Sequence, residues 1–257
     1  MTVDSRFAAD GNPSSANRGG GGGDTPPPWL GFTSSDFSFR GDYDGAGSNL
    51  SWVSNRYELD FNRPSSRTWW SRSYMQLGPA PTAFDADLIT GRKVLQVRMS
   101  EFEFTGGDAL VSPYIGVGFG VAGGSSYGDW LTNRGVGVAK RWLAGSPNTE
   151  RLIAWNNQQF VDEGNYGSEP HAADTIDQII ATFWFAPRNA NVIVEAVSLD
   201  SDGDVLERKL SWGTRPASES ATNMTAMMGN ASSGAAGDMH LGVTMDHRIM
   251  PFSRLYV

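Results

Sequence analysis

Residues 191–212, NVIVEAVSLDSDGDVLERKLSW, carry the clearest secondary-structure signal in this chain. Two apolar-rich segments flank an acidic run that contains Asp202 and Gly203, and an Asp-Gly pair is typical of a tight hairpin turn that needs a positive φ. The pattern predicts a β-hairpin with strands over 191–199 and 205–212. Alternation along the second strand predicts that Leu206, Leu210 and Trp212 face the core and that Glu207, Lys209 and Ser211 face solvent.

The same alternation of apolar with polar or small residues extends the strand prediction outward from this hairpin. Residues 94–104 and 113–121 are predicted strands. Residues 178–186 are interpreted as a buried strand, although their apolar positions also fit helical spacing. Within the first of these segments the apolar positions change parity after Met99, which predicts a β-bulge near Ser100.

The part of the chain that follows the hairpin gives a weaker signal. Residues 214–237 are rich in Ala, Ser, Thr, Asn and Gly, and we interpret them as a long loop with one short helix around 222–228. Residues 239–245 and 252–257 are predicted strands that bring the chain back to the sheet.

Glycine alternates with large apolar residues in the strand predicted over 113–121. Gly116, Gly118 and Gly120 share one face of that strand. Glycine weakens a strand, so its repeated use in a strand indicates positions that another group approaches closely. We therefore predict that this glycine stripe lies against another backbone or a bulky side chain.

The composition favours an all-β protein and excludes several classes of partner. Of 257 residues, 31 are glycine, and only 19% are charged, a mix typical of strands joined by tight turns. A formal net charge of −8 argues against nucleic acid and against an anionic membrane surface as partners. The lack of cysteine excludes disulfides and thiolate metal sites, and three histidines are too few for a multi-histidine centre. No cofactor is expected.

Residues 1–28 differ in composition from the rest. They contain five consecutive glycines and three consecutive prolines, and offer too little apolar surface to offset the entropy of ordering. We interpret this stretch as a flexible tail or as an arm that docks on a neighbouring subunit, and residues 29–257 as a single β-sandwich domain. The first residues lack the apolar core of a secretory signal, so the protein is expected to be made in the cytoplasm.

The order of these elements resembles the concanavalin A-like or laminin G-like jelly roll. The resemblance covers residues 30–257 and rests on arrangement: the hairpin within 192–212, then a loop, then the terminal Phe252-Ser-Arg-Leu-Tyr-Val257. It implies an antiparallel two-sheet sandwich with one concave sheet, in which the last strand often closes beside the first. Members of such a superfamily range from sugar-binding proteins to glycan-cleaving enzymes and scaffolds, so fold alone does not select a function.

Three aromatic groups are candidate glycan-binding sites, because sugar C–H faces stack on flat rings while hydroxyl groups bond to amides and carboxylates. The groups consist of Trp69, Trp70 and Tyr74; of Tyr127, Asp129 and Trp130; and of Trp155, Asn156 and Asn157. The alternative interpretation is that these rings fill the core or a subunit interface, where tryptophan and tyrosine are also enriched.

Two acidic groups are candidates for a catalytic pair and for a metal site, and each also has a purely structural interpretation. Glu101 and Glu103 are the close acidic pair of a predicted strand, but their sequence differs from the Glu-x-Asp-x-x-Glu style of the glycosidases that the resemblance suggests, so a solvated strand face is favoured. Asp200, Asp202 and Asp204 are spaced as in calcium loops yet lack the closing glutamate, so a plain hairpin turn is favoured over a metal site.

Taken together, these features predict a non-enzymatic structural or adhesive protein of the kind found in tailed-phage virions. Its expected partners are copies of itself or other virion proteins, contacted through the N-terminal arm, and cell-surface glycan is a candidate ligand. Two alternatives stay open: a glycan-active hydrolase or lyase on the same fold, and a free-standing carbohydrate-binding module.

Overall fold

The computed structural model describes residues 26–32, 37–42, 49–61, 71–77, 86–106, 113–119, 136–143, 146–156, 159–160, 170–172, 174–186, 191–214, 224–230 and 238–252. Within these ranges the chain forms sixteen strands and one short helix. In chain order they are β1 Leu30–Gly31, β2 Phe37–Asp42, β3 Asn49–Val53, β4 Arg56–Phe61, β5 Ser71–Leu77, α1 Ala86–Ile89, β6 Lys93–Gly106, β7 Pro113–Phe119, β8 Val136–Leu143, β9 Ser146–Asn156, β10 Gln159–Phe160, β11 His171–Ala172, β12 Gln178–Phe185, β13 Asn191–Leu199, β14 Val205–Thr214, β15 Met224–Asn230 and β16 Met239–Pro251.

The strands form two antiparallel sheets. Sheet A has the order β14-β13-β12-β6-β16-β4-β3, with β1 paired to β16. Sheet B has the order β10-β9-β8-β7-β15-β5-β2, with β11 paired to β9. The chain passes repeatedly from one sheet to the other, so that β15 of sheet B lies between β14 and β16 of sheet A in sequence. This arrangement confirms the predicted all-β, antiparallel two-sheet sandwich.

The core lies between the sheets, and every second residue of the central strands contributes to it. Leu95, Val97 and Met99 of β6 face Ile115 and Val117 of β7 in one contiguous cluster of buried apolar side chains. Burial of such side chains contributes about 1.5–3 kcal/mol each. No helix in the described ranges is long and apolar enough to cross a membrane.

Most of the predicted strands are confirmed. Residues 94–104 lie in β6, residues 191–199 form β13, and residues 205–212 lie in β14. The buried segment predicted over 178–186 is strand β12, which ends one residue earlier, at Phe185. Residues 113–119 form β7, whereas Gly120 and Val121 lie outside the described residues.

The predicted bulge in β6 is also confirmed. Gly242 pairs with Glu103 and Thr244 with Ser100, so two residues of β6 lie opposite one residue of β16. Glu101 adopts a φ of 52° at this point. Below the bulge the even-numbered Phe102 packs against the core, in place of the odd-numbered residues above it.

One prediction of secondary structure was wrong. The helix expected around residues 222–228 is replaced by β15, Met224–Asn230, which forms hydrogen bonds with β7 on one side and β5 on the other. Methionine and alanine favour helices in isolation, but pairing on both edges of a strand outweighs that preference. Of the strand expected over 252–257, Phe252 lies just after the end of β16 at Pro251, and residues 253–257 lie outside the described residues, so that strand stays a prediction.

The orientation predicted for β14 was also wrong. Leu206 does pack against the core, but Leu210 and Trp212 are 47% and 53% exposed, whereas Ser211 is 2% exposed. Glu207 and Lys209 are largely buried as well. The cause is a register shift at the hairpin: Leu199 pairs with Val205 but Ser198 pairs with Glu207. The one extra residue inverts the facing of every later side chain in β14.

The N-terminal boundary of the sandwich is held by β1 and the residues beside it. Phe32 is buried in the core, its amide donates to Met245 O at 3.2 Å, and its ring stacks on His247 at 4.2 Å. Residues 1–25 of the predicted arm lie outside the described residues.

The glycine stripe lies against the neighbouring strand, as predicted, at the positions that the structure describes. Gly116 and Gly118 are buried and pair with Ala139 and Gly137 of β8. A Cβ at position 116 would lie 2.6 Å from both Ala139 Cβ and Val138 O. Glycine is therefore required at position 116 because there is no space for a side chain.

The sandwich interior also holds a buried ion pair, Lys140–Glu150, with an Nζ–Oε2 distance of 2.9 Å. Glu150 accepts hydrogen bonds from the amides of Asp174 and Ile176, and Lys140 donates to Ile176 O at 2.8 Å. Burial lowers the pKa of Lys140, and the charge of Glu150 opposes that change. The pair therefore fixes, on sheet B, the segment that leads into β12 of sheet A.

Replacing Gly116 with alanine should destabilise the fold by roughly 1–3 kcal/mol, because the added methyl overpacks against β8. Alanine in a strand interior is otherwise more favourable than glycine, so the sign of the change is diagnostic. Urea unfolding measures it. The double variant Gly116→Ala/Ala139→Gly should recover part of the loss, since one of the two close contacts disappears. A neutral or stabilising Gly116→Ala would contradict the close approach.

Replacing Lys140 with methionine should destabilise the protein by roughly 3–5 kcal/mol, because Glu150 is then left buried without a counter-charge. The double variant Lys140→Met/Glu150→Gln should lose less than the sum of the two single changes. Arg92→Met is the matched control: Arg92 pairs with Asp87 at 3.4 Å on the surface, and such pairs contribute about 0–1 kcal/mol. Thermal unfolding that gave equal losses for Lys140→Met and Arg92→Met would overturn this prediction.

Candidate functional site

The outer face of sheet A, which points away from sheet B, carries two accessible groups of aromatic and charged side chains. One lies on the edge strand β14 and the other over β6 and β16. Cross-strand pairing joins them by one row of side chains: Leu210, Glu195, Thr182, Gln96 and Arg248. Strands are spaced about 4.8 Å apart, so the two ends of the row are separated by roughly 19 Å.

We name the first group the edge patch; it consists of Arg208, Leu210 and Trp212 of β14 and Glu195 of β13. The register shift at the hairpin turns the three β14 side chains outward. Trp212 is more than half exposed, although a tryptophan of a sandwich is usually largely buried. The patch thus offers a flat apolar ring beside a charged pair.

Glu195 is the titratable centre of the edge patch. Its side chain is 8% exposed, and its Oε1 lies 3.6 Å from Arg208 Nη1. Burial raises the pKa of Glu195 to about 7, and the charge and hydrogen bond of Arg208 lower it by a smaller amount. At neutral pH this carboxyl therefore exists in both protonation states, and it can donate or accept a hydrogen bond.

We name the second group the arginine–tryptophan cluster; it consists of Trp29, Arg98 and Arg248. Trp29 precedes β1 and packs on Ile180 and its buried neighbours on the outer face. The guanidinium carbons of Arg98 and Arg248 lie 4.8 Å and 4.2 Å from the centroid of its ring. Such cation–π contacts contribute about 0.5–2 kcal/mol each.

The two arginines of the cluster have different partners. Arg98 donates from Nε and Nη2 to Asp246 Oδ2, at 3.0 Å and 2.5 Å, and Asn55 donates to the other oxygen of that carboxylate at 2.8 Å. Arg248 instead donates from Nε to the amide oxygen of Gln96 at 2.7 Å. The charge of Arg98 is therefore compensated by Asp246, whereas the side-chain partners of Arg248 are neutral.

The acidic pair proposed from sequence lies elsewhere on this face and is bound by protein groups. Glu103 Oε2 is 2.8 Å from Arg56 Nη2 and 3.7 Å from His240 Nε2. Thr244 donates to Glu101 Oε2 at 2.5 Å, and Arg56 donates to the backbone oxygen of Glu101 at 2.5 Å. The bulge at Glu101 places the two carboxylates in an ion-pair network on an exposed strand end.

Gly242 makes this network possible. It lies between Glu58 and Glu103 in the register of β4, β16 and β6, and a Cβ at position 242 would collide with the guanidinium of Arg56. Arg56 also pairs with Glu58 at 3.2 Å. Arg56 thus spans three strands and neutralises the acidic groups on both sides of β16.

The acidic hairpin turn has a local structural role. Asp200 Oδ1 accepts hydrogen bonds from the amides of Asp202, at 3.0 Å, and Asp204, at 2.8 Å, and Gly203 has the positive φ of 85°. The Asp200 carboxylate therefore holds the turn itself. Within the described ranges, no group of three or more histidine, aspartate or glutamate side chains is placed to hold a metal ion.

Most residues of the predicted aromatic sites lie outside the part of the chain that the structure describes. Trp69, Trp70, Tyr127, Asp129, Trp130 and Asn157 lie outside the described residues. Tyr74 lies in β5, and Trp155 and Asn156 lie at the end of β9; only the backbone is described at these three positions. Their role in glycan binding stays a prediction.

The accessible groups contain residues that sequence reasoning did not select. Trp212 was assigned to the core by alternation, and Arg248 and Glu195 carried no local motif. Trp29 had one signal: it is the first large apolar residue after the glycine- and proline-rich stretch.

Glu195→Gln should reduce the pH dependence of stability. Because folding raises the pKa of Glu195 from 4.5 to about 7, its stabilising contribution is present below pH 4.5 and is lost as the pH rises through 7. Between pH 5 and pH 8 the free energy of unfolding should fall by up to roughly 3 kcal/mol more in the wild type than in Glu195→Gln. Urea titrations at both pH values test this. Asp202→Asn, in the exposed turn, is the control, and equal pH dependence of all three proteins would contradict the shift.

No family model matches the chain, and no curated protein sequence matches it. Solved structures similar to it include the legume lectin-like domain from Entamoeba histolytica, with 8% identity, a TM-score of 0.47, and coverage of 90% of this chain and 99% of that one. A CBM2 module of an evolved Dit from Lactobacillus casei BL23 phage J-1 has 6% identity, a TM-score of 0.44 and coverage of 79% of each chain. A native glycosidic hydrolase has 12% identity, a TM-score of 0.40, and coverage of 84% and 90%. TM-scores below 0.5 are too low for a function to be carried from these structures to this chain.

Proposed function

We propose that this protein is a non-enzymatic binding module that recognises carbohydrate at the edge patch of sheet A. The observation that carries the proposal is the exposure of Trp212, at 53%, on a regular strand beside the Glu195–Arg208 pair. An exposed indole offers a flat face for sugar C–H groups, and the guanidinium of Arg208, whose side chain is 37% exposed, offers hydrogen-bond donors for hydroxyl groups. A small number of polar groups beside an apolar surface is the usual composition of a ligand site.

The arrangement of carboxylates supports binding without cleavage. Glycosidases place two carboxyl groups about 5–9.5 Å apart on either side of the scissile bond. Asp246, the buried carboxylate on the same face as Glu195, lies on a strand three positions away, roughly 14 Å. Glu101 and Glu103 are bound by Arg56, His240 and Thr244.

One observation favours the alternative, a glycan-active hydrolase. A carboxyl group with a pKa of about 7, as burial gives Glu195, has the property that a general acid needs at neutral pH. Its neighbour Arg208 contributes a positive charge and not a second carboxylate. This alternative therefore depends on a nucleophile or base that would have to come from the rest of the chain.

We further propose that the module belongs to a virion-type assembly, where it serves as a structural or adhesive component. The support is sequence composition: the glycine- and proline-rich stretch at 1–28 directly precedes Trp29, and the chain contains no cysteine. Trp29, the residue that follows the proposed arm, packs on the outer face of sheet A, which also carries the edge patch. Copies of the chain or other virion proteins are the proposed partners of the arm.

Trp212→Ala should weaken glycan binding by roughly tenfold or more, because central aromatic side chains dominate binding energy in such sites. The measurement is binding to a glycan array, followed by titration of the best ligand. Val53→Ala is the matched control, because Val53 is 68% exposed at the opposite edge of sheet A. Both variants should keep the wild-type melting temperature within a few degrees, since exposed side chains contribute little to stability.

Two results would overturn the proposal. Equal binding by the wild type and Trp212→Ala would exclude the edge patch. Release of reducing ends from a bound polysaccharide, abolished by Glu195→Gln, would establish the hydrolase instead.

A further inference from the structure

We propose that Arg248 binds an acidic group of the ligand, the carboxylate or sulfate of an anionic polysaccharide, while the ring of Trp29 holds the Arg248 guanidinium in place. This inference rests on the proposed function and names its ligand class. It assigns the arginine–tryptophan cluster as a second subsite on the face that carries the edge patch.

The first support is the hydrogen bonding of Arg248. Its guanidinium is half-buried, and its Nε donates to Gln96 Oε1 at 2.7 Å. Within the described part of the chain its other contact is the ring of Trp29, so both Nη groups keep their donors available. A guanidinium presents its donors in a planar fork that matches a carboxylate or sulfate.

The second support is the local balance of charge. The cluster and its bonded carboxylate consist of Arg98, Arg248 and Asp246, which leaves one positive charge. Asp246 already accepts from Arg98 and from Asn55, so it does not serve as the counter-ion of Arg248. A ligand anion would supply the missing charge at this point of a protein whose net charge is −8.

The third support is the cost of this arrangement in the free protein. Burial, together with the repulsion from Arg98, lowers the pKa of Arg248. A half-buried cation without a counter-ion is destabilising, and an apolar residue on Trp29 would avoid that cost. An anion that completes the pair offsets it only in the bound state, and this makes the site selective for charge.

The position of the cluster favours a polymer over a single sugar. Arg248 and the edge patch lie at opposite ends of one row that crosses five strands, roughly 19 Å apart. A polysaccharide with acidic repeat units can occupy both regions at once. The row between them contains Thr182 and Gln96, which are 6% and 1% exposed and are hydrogen-bonded to each other at 3.0 Å. A polymer would therefore contact the two regions at the ends of the row and not the row itself.

The test compares binding of the full chain to four probes: a polyuronate, a sulfated polysaccharide, a neutral polysaccharide and inorganic sulfate. The wild type should prefer at least one acidic polymer to the neutral one. Arg248→Gln should lose roughly tenfold or more of the affinity for that polymer, because a charge-assisted bidentate contact disappears, and should keep its affinity for the neutral one. Arg92→Gln removes the same charge from an exposed pair with Asp87 and should change affinity less than twofold.

A second variant separates binding from folding. Arg248→Lys keeps the charge and loses the fork, so it should retain the wild-type melting temperature and still lose affinity for the acidic polymer. Wild-type affinity in Arg248→Lys, or an equal loss in Arg92→Gln, would overturn the inference.

The remaining outcomes distinguish this inference from the proposed function. Equal binding of acidic and neutral polymers, with loss in Trp212→Ala, would overturn the acidic subsite and leave the glycan-binding function in place. Binding of none of the polymers would overturn the function itself. Inorganic sulfate that binds as tightly as the sulfated polymer would show a simple anion site and would overturn the assignment to a sugar.

Discussion

Two β-bulges in sheet A decide which side chains meet the core and which meet solvent. Side chains alternate along a strand, so one extra residue inverts every later position. In β6 the inversion after Met99 brings Phe102 and Phe104 onto the core and leaves Glu101 and Glu103 exposed. At the β13–β14 hairpin the inversion turns Trp212 outward. The edge patch and the exposed pair Glu101 and Glu103 depend on these two local insertions.

The same inversion explains why charged groups lie inside the sandwich. Once β14 is turned, Glu207 and Lys209 point toward sheet B, where they pair at 2.9 Å, and His171 lies 3.7 Å from Glu207. Lys140 and Glu150 lie on the neighbouring strands β8 and β9 of sheet B. They form hydrogen bonds with the backbone of Ile176 and Asp174, in the segment that precedes β12. A polar interior at this edge tolerates the turned strand, because its inward polar residues find partners there.

The sequence allows the strands and one of the bulges to be predicted, and the physical reason is visible in each case. The β6 bulge is readable because apolar residues change parity at the bulge. The β14 inversion cannot be predicted from the sequence in this way. Leu210 and Trp212 are apolar but exposed, and Glu207 and Lys209 are charged but largely buried. Burial in β14 is set by the register shift and by partners such as His171, which comes from β11 of sheet B, and alternation along the sequence identifies neither. The prediction for the segment that forms β15 was wrong for a related reason, because the conformation of that segment is set by pairing with β5 and β7.

The candidate site was missed because it is assembled from distant segments. Arg98, Arg248 and Trp29 come from three elements that share no sequence motif, and they meet only when β1 pairs with β16 beside β6. What distinguishes the site is the kind of charge it contains. Lys140 and Glu150 are buried and paired, and they complete the fold. Arg248 is half-buried beside a neutral amide, where a hydrophobic residue would serve stability better. A half-buried charge whose partners among the described residues are an amide and an indole is the feature that points from structure to ligand.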